Sequence, residues 1–254
     1  MKNMWRTLIS CFAVVCLVVL TGCNDAGLSS TSSTSTSIAT PDSTTLSSPI
    51  ALKPTSPPTA DSTLKKFAQL AGKATVEMKL KGGVVTIEVD GTAAPITAGN
   101  FIDLVKRGTY TNLIFHRVVR EPAPFVAQGG DPLGNGTGGF IDPVTGSERQ
   151  IPLEILPEGA KKPVYSKTFN EAGITKPPML KHVKGAVAMA RSQSPDSGSS
   201  QFYITLADVN FLDGSYAVFG YVTDGMELVD KIQVGDRIES ITVTKGIENL
   251  KSPS

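Results

Sequence analysis

The chain predicts a mainly all-β fold, a closed antiparallel barrel with two helices, carried behind a leader and a long tether. Three observations predict it. From Leu64 onward, short runs of alternating apolar residues recur between Gly, Pro and Asn turn residues. Beyond a short turn at Leu64 to Leu70, two segments in that region read as helical. The stretch from Asn24 to Thr63 has neither pattern.

The elements follow in chain order. Lys2 and Arg6 open a leader in which Leu8 to Leu20 is almost purely apolar. That run is shorter than the ~20 residues a membrane-spanning helix needs, and it fits a secretory signal. It ends in Leu20-Thr21-Gly22-Cys23. Residues 23–63 are rich in Ser, Thr and Pro, with an unbroken Ser/Thr run from Ser29 to Ser37. Such a composition cannot bury enough apolar surface to offset its ordering entropy, so it is expected to be a disordered tether. Residues 64–254 then form one folded domain. Leu64 to Leu70 reads as a short helical turn. Ala74 to Lys81 and Val84 to Val89 alternate as strands around a Gly82-Gly83 hairpin turn. Pro95 to Gly108 reads as a helix, with Pro early, Phe101, Leu104 and Val105 on one face, and Gly as the stop. Leu113 to Val119, Phe125 to Gln128, Gly185 to Ala190, Gln201 to Thr205, Ala217 to Val222 and Ile238 to Thr244 are the remaining strands, and Glu227 to Ile232 is a second helical piece. The Gly- and Pro-rich stretch from Pro132 to Lys184 reads as long surface loops, and His182 as one of their surface residues.

Composition narrows the chemistry. The chain has 254 residues with 24 Lys and Arg against 23 Asp and Glu, a formal charge of +1, which argues against a general nucleic-acid binder. Two His and three Cys are too few for a structural zinc site or a disulfide framework, so no metal is expected. Gly134-Asn135-Gly136-Thr137-Gly138-Gly139 matches a dinucleotide fingerprint in letters alone, because no helical pattern follows it. Ser197-Gly198-Ser199-Ser200 lacks the spacing of a nucleophile elbow, and Asp131 and Asp142 lack calcium-loop spacing. His116 reads as structural rather than as a general base.

Three stretches stand out together. Phe115-His116-Arg117-Val118-Val119 precedes Phe125-Val126-Ala127-Gln128-Gly129-Gly130-Asp131. Gly185-Ala186-Val187-Ala188-Met189-Ala190 precedes Ser199-Ser200-Gln201-Phe202-Tyr203-Ile204. Phe211-Leu212-Asp213-Gly214 precedes Tyr216-Ala217-Val218-Phe219-Gly220. From about Ala74 to Leu250 the chain resembles the cyclophilin family of peptidyl-prolyl cis-trans isomerases. Ile151 to Ile155, Tyr216 to Asp224, Val234 to Asp236, Ile238 to Ile241 and Glu248 to Leu250 are similar to a narrower group, the cyclophilin-like proteins of the plant thylakoid lumen.

The resemblance implies a closed eight-stranded barrel capped by two helices, with the groove on its outer face. It implies that Arg117 is the catalytic arginine, and that Phe125, Val126, Tyr203 and Leu212 line a proline pocket with Phe211 at its edge. Gln128, Gln201 and the backbone of Ala190 and Arg191 would hold the peptide, and Tyr216 stands where many members carry His. It implies no cofactor. The partners would be proline-containing polypeptides, with a monomer expected. The family usually has Met at Val126 and Phe at Tyr203, and many members have Trp at Phe211, a position linked to cyclosporin binding. Asn is common at Arg191. Arg120-Glu121-Pro122-Ala123-Pro124 lengthens the connection from Arg117 to Phe125, which would shift the pocket relative to the arginine. The sequence before Cys23 resembles a bacterial lipobox, which implies acylation of Cys23 and anchoring to membrane lipid on the extracytoplasmic face, at the plasma membrane or the thylakoid. Three functions remain open: an active isomerase for exported proteins, a weakly catalytic module that docks proline-containing partners of membrane complexes, and a purely structural surface protein that binds no proline peptide.

Overall fold

The computed structural model describes residues 64–253, so the leader, Cys23 and the tether lie outside the described residues. Among the described residues the protein is mainly β. The strands are β1 (Gln69–Leu70), β2 (Lys73–Leu80), β3 (Gly83–Asp90), β4 (Phe115–Val119), β5 (Val126–Gly129), β6 (Glu154–Ile155), β7 (Val164–Tyr165), β8 (Ala186–Met189), β9 (Phe202–Thr205), β10 (Val218–Asp224), β11 (Ser240–Lys245) and β12 (Leu250–Lys251). Two α-helices join them, α1 (Pro95–Lys106) and α2 (Met226–Val229), along with 3-10 turns at Asn210–Leu212 and Ile247–Asn249. None of these helices is long and apolar enough to cross a membrane.

Eight strands form one sheet in the order β11-β2-β3-β10-β8-β9-β5-β4, every neighbour antiparallel. The sheet is an open half-barrel, which corrects the closed barrel expected from the sequence. Its edge strands β11 and β4 do not share a ladder. The segments leading into them meet instead, through a bridge between Ile114 and Arg237 and through Phe115 N–H to the Asp236 carbonyl at 2.9 Å. The same segments are also joined by Ile238 N–H to the Leu113 carbonyl and Gly235 N–H to the Phe115 carbonyl, both at 2.9 Å.

The β2–β3 hairpin shows why the sheet curls around a core. Val76, Met78 and Leu80 alternate with Lys73, Glu77 and Lys79, and Val85, Ile87 and Val89 face the same side from β3. Alternation places one set in the core and the other in water. The turn is Lys81-Gly82 rather than the expected Gly82-Gly83, since Leu80 pairs with Gly83. Gly82 has φ of +98°, a backbone conformation that residues with a Cβ rarely adopt.

Helix α1 fills the concave side. Ile96, Phe101, Ile102 and Leu104 are fully buried, and the Phe101 ring lies 4.9–5.5 Å from those of Tyr110, Phe202 and Phe219. Burial of each such ring contributes roughly 1.5–3 kcal/mol. Gly108, at φ +73°, ends the helix, and Thr109 N–H returns to the Leu104 carbonyl. The other end has no side-chain cap of its own. Glu154 supplies one from across the chain: its carboxylate accepts Ile96 N–H and Thr97 N–H, both at 2.9 Å, and the Thr97 hydroxyl at 3.1 Å.

Two further expectations are corrected. Leu64 to Leu70 is not a helical turn throughout. Its end, β1, pairs with β12, because Leu70 buries fully where its backbone finds partners at Leu250. The stretch from Pro132 to Lys184 is more than surface loop. It holds the β6–β7 pair, and Leu153, Ile155 and Phe169 form a small core of their own with Ala217. These apolar residues are spaced too irregularly to announce a helix or a strand.

Candidate functional site

The site is built on the convex side of β4, β5, β8 and β9. A shift of register between Phe115 and Arg117 places Phe115 opposite Gly129 and Arg117 opposite Gln128. Strict alternation would put Phe115 and Arg117 on the same side. The bulge at His116 keeps the Phe115 ring fully buried in the core while Arg117 stands exposed outside.

Arg117, Phe125, Val126, Gln128, Ala190, Arg191, Tyr203, Leu212 and Tyr216 line one groove of about 250 Å³. Val126 and Tyr203 form its buried floor. Leu212 reaches it from the Asn210–Leu212 turn. The Arg117 Cζ lies 5.6 Å from the centre of the Phe125 ring. Phe211 does not line the groove. It is 74% exposed and stacks on the outer face of the wall, its ring 5.8 Å from Phe125 at 19°. Tyr203 and Tyr216 meet edge to face at 6.0 Å.

A chain of side-chain hydrogen bonds runs along one rim. The Arg117 Nη1 donates to Gln128 Oε1 at 3.2 Å, and Gln128 Nε2 donates to Gln201 Oε1 at 2.9 Å. Gln201 Nε2 donates to the carbonyls of Gly136 and Gly138 at 3.0 and 2.8 Å. Gln201 therefore lies behind Gln128, in the rim of an adjoining hollow of about 300 Å³, rather than in the groove itself. The Gly-rich loop that supplies those carbonyls is held by Asp131, whose carboxylate accepts the N–H groups of Leu133, Asn135 and Gly136. Burial pushes the Asp131 carboxyl up, but these three N–H groups outweigh it and hold it below the usual range.

Arg191 lines the groove while its guanidinium is held by backbone carbonyls around it. Its guanidinium donates to the carbonyls of Ser215, Ser192 and Gln193, and lies 4.6 Å from the Tyr216 ring centre. Ala190 N–H bonds to the Gln201 carbonyl, tying β8 to the start of β9. The longer Arg120-to-Pro124 connection does not detach Arg117 from the pocket. Arg120 pins it on the carbonyls of Ile232 and Val229, and Phe125 N–H bonds back to Val119.

His182, read from the sequence as a surface residue, is a correction. Its side chain is 1% exposed and lies between Tyr203 and Asp213. A Tyr in a strand otherwise made for an apolar floor is the one sequence signal that a polar partner is needed. His116 sits beside Arg117 with both ring nitrogens buried and without a hydrogen-bond partner. Burial holds it below its usual pKa, helped by Arg117 and opposed by Asp131. Among the described residues no group of three or more His, Cys, Asp or Glu could hold a metal.

Residues 75–251 match the family model described as cyclophilin type peptidyl-prolyl cis-trans isomerase. A Synechocystis chain named as a thylakoid lumen peptidyl-prolyl cis-trans isomerase is 46% identical over 192 residues, covering 72% of this chain and 50% of the relative. A chloroplastic peptidyl-prolyl cis-trans isomerase of Arabidopsis thaliana is 44% identical, covering 73% and 45%. The chain thus spans about half the length of these two relatives. A Helicobacter pylori peptidyl-prolyl cis-trans isomerase is 35% identical, covering 72% of this chain and 94% of the relative. Among solved structures, a Cryptosporidium parvum cyclophilin crystallised in the presence of the dipeptide Ala-Pro matches with TM-score 0.52 and 26% identity, covering 67% of this chain and 99% of its own.

Proposed function

The chain belongs to the cyclophilin-type peptidyl-prolyl cis-trans isomerases, and from that premise we propose that its groove catalyses rotation of X-Pro bonds in exported polypeptides, with Arg117 as the catalytic residue. The observation that carries this reading is the placement of a guanidinium on the lip of a slot walled by Phe125, Val126, Tyr203 and Leu212.

An X-Pro bond prefers trans by only ~0.5–1 kcal/mol, yet rotates over a barrier of ~18–20 kcal/mol. That barrier is amide resonance, lost when the bond twists. In the twisted state the nitrogen becomes pyramidal and its lone pair is localised. A guanidinium donates a hydrogen bond to that lone pair or steadies the carbonyl oxygen, and it stays protonated at any physiological pH. Gln128 occupies one N–H of Arg117 and orients the fork. The rest of the exposed fork remains for the substrate. The twisted amide is less polar than the planar one, so a slot that seats the proline ring away from water favours it. Each tenfold in rate needs ~1.4 kcal/mol of such differential stabilisation, and one charge-assisted hydrogen bond supplies more than that. Bond rotation breaks no covalent bond and needs no nucleophile. Ala190, Arg191 and Tyr216 border the peptide's path, and Phe211 extends its apolar edge.

The test is a protease-coupled proline-peptide assay on the full chain. Wild type is expected to accelerate isomerisation. Arg117→Ala is expected to lower kcat/KM about a hundredfold, equivalent to roughly 2.7 kcal/mol, with an unchanged melting temperature. A wild type without turnover that still binds an Ala-Pro peptide would overturn the enzyme in favour of the docking module.

The proposal includes a location. Its support is the Leu20-to-Cys23 sequence and relatives named for the thylakoid lumen and the chloroplast. Two or more acyl chains on Cys23, at ~0.8 kcal/mol per buried CH₂, hold a protein stably on a membrane. Cys23→Ser is expected to release the protein into the soluble extracytoplasmic fraction. Retention of that variant on the membrane would rule the anchor out.

A further inference from the structure

The floor of the slot is a tyrosine whose hydroxyl is bonded to a residue outside the groove lining. Tyr203 stands on β9 with its ring on the groove, in a small apolar cluster with Val126, Ala186, Ala188 and Val218. Its hydroxyl lies 3.0 Å from Nε2 of His182, a residue outside the groove lining, and the two ring planes are 16° apart. On the other side of the imidazole, Nδ1 lies 2.8 Å from Asp213 Oδ1, and the same oxygen accepts the His182 backbone N–H at 2.8 Å. Asp213 follows directly on Leu212, the groove wall. At the other end of that turn, Val209 N–H donates to the His182 carbonyl at 2.8 Å. The histidine is therefore fastened to both ends of the wall segment and, through Tyr203, to the floor.

Chemistry sets the direction of each bond. A carboxylate only accepts, so Nδ1 carries the proton and donates to Asp213. Nε2 of the neutral ring then accepts, and Tyr203 donates. Burial lowers the His182 pKa, against the pull of Asp213, and so favours this neutral form.

We propose that His182 is a positioning residue for the isomerase, one that ties Tyr203 to Asp213, sets the separation of slot floor and wall, and turns the Tyr203 hydroxyl away from the seated proline. The proposal rests on the isomerase reading. Without the imidazole the hydroxyl loses its acceptor inside the protein, and water in the groove becomes the nearest replacement. The ring then tips toward the slot or draws water into it. Proline seating weakens, while Arg117 and its partner Gln128 are untouched. The expected signature is a raised KM with a preserved kcat.

The test is a double-mutant cycle on the full chain with His182→Leu, Tyr203→Phe and the pair combined. His182→Leu leaves a buried hydroxyl unsatisfied and is expected to raise KM about tenfold with kcat within about twofold of wild type. Tyr203→Phe removes the hydroxyl that needs the acceptor. The combined variant is therefore expected to return to the KM of Tyr203→Phe alone, a rescue that a purely structural histidine would not produce. An unchanged KM in His182→Leu, a loss confined to kcat, or additive effects in the combined variant would overturn the proposal. If His182→Leu fails to fold, His182→Gln replaces it, since the Gln carbonyl can accept from Tyr203. Its KM is expected within about threefold of wild type, and no further rise should follow when Tyr203→Phe is added. A wild type without turnover would sink the isomerase reading alone. The same cycle read as the Kd of an Ala-Pro peptide then decides the strut, with rescue supporting it and additivity overturning it.

Discussion

The half-barrel has two apolar faces, and the same short strands build both. Along β9, Phe202 and Ile204 point into the core against α1, while Tyr203 between them points out into the groove floor. Along β8, Val187 and Met189 go inward and Ala186 and Ala188 outward. The inner face is large and aromatic, with Phe101, Tyr110, Phe115, Phe202 and Phe219 all fully buried. The outer cluster is small, and its rim carries Arg117, Gln128 and Tyr216. The inner face is filled by side chains, and the outer one leaves a groove of about 250 Å³ open. Apart from Tyr203 the buried side chains of the outer cluster are Val and Ala, and polar atoms of its floor and rim are tied to residues that do not line the groove. His182 holds the Tyr203 hydroxyl, and Gln201 holds Gln128.

The contrast can be broken most severely from the inner side. Phe202→Ala empties a volume that α1 and three other rings enclose, and about 3–5 kcal/mol of stability is expected to be lost, read as the urea midpoint. A cost under ~1 kcal/mol would mean that the two faces are equally plastic. Arg117→Ala, on the outer face of the same sheet, is expected to leave that midpoint in place while removing activity.

Glu154 sharpens the comparison from a third place. It is fully buried at the start of α1, and burial raises its carboxyl from the ordinary 4.5 to about 7, against the N–H donors of Ile96 and Thr97 and the hydroxyls of Thr97 and Tyr165. Between about pH 4.5 and 7 the unfolded chain releases this proton and the folded chain keeps it. Folding stability is therefore highest below that window and falls by roughly 3 kcal/mol as pH rises through it. His182, with its pKa lowered by burial, works oppositely: the unfolded chain binds its proton first, so stability falls as pH drops below the ordinary 6.5. The wild-type minus Glu154→Gln difference in urea midpoint isolates the first slope. A difference flat from pH 4.5 to 8 would show that Glu154 ionises normally. The smallest expected effect is that of Tyr203→Phe, about 1 kcal/mol, since it leaves only a ring nitrogen without its donor.

Much of the site was legible before any fold was known. Arg117, Phe125, Val126 and Leu212 come together as their motifs suggest, because each sits on or beside a short strand or turn whose geometry is local. Gln201 was harder. Its motif marked it as important, but whether its amide faced a ligand or Gln128 depended on where the Gly136 and Gly138 carbonyls came to rest. The Arg191 guanidinium has no sequence signal for its partners either, which are the carbonyls of Ser192, Gln193 and Ser215. The bulge at His116 left no trace in the pattern, although it is what turns Arg117 outward.

Period-two alternation in β2 and β3 by itself determined which of their residues would be buried, whereas β8 and β9 are buried on both faces and their pattern did not say which face is the core. The Ser/Thr/Pro stretch by itself set where regular patterning begins. Both are properties of neighbouring residues, and neighbours are what a sequence displays. Tertiary structure alone decided that the sheet stays open, that Glu154 caps a helix 57 and 58 residues before it, and that His182 braces Tyr203 and Asp213, 21 and 31 residues after it. The physical reason is the cost of an unpartnered polar group in a dry interior. A buried carboxylate or imidazole must find whatever donor or acceptor the folded chain brings beside it, and no local period encodes which one that will be.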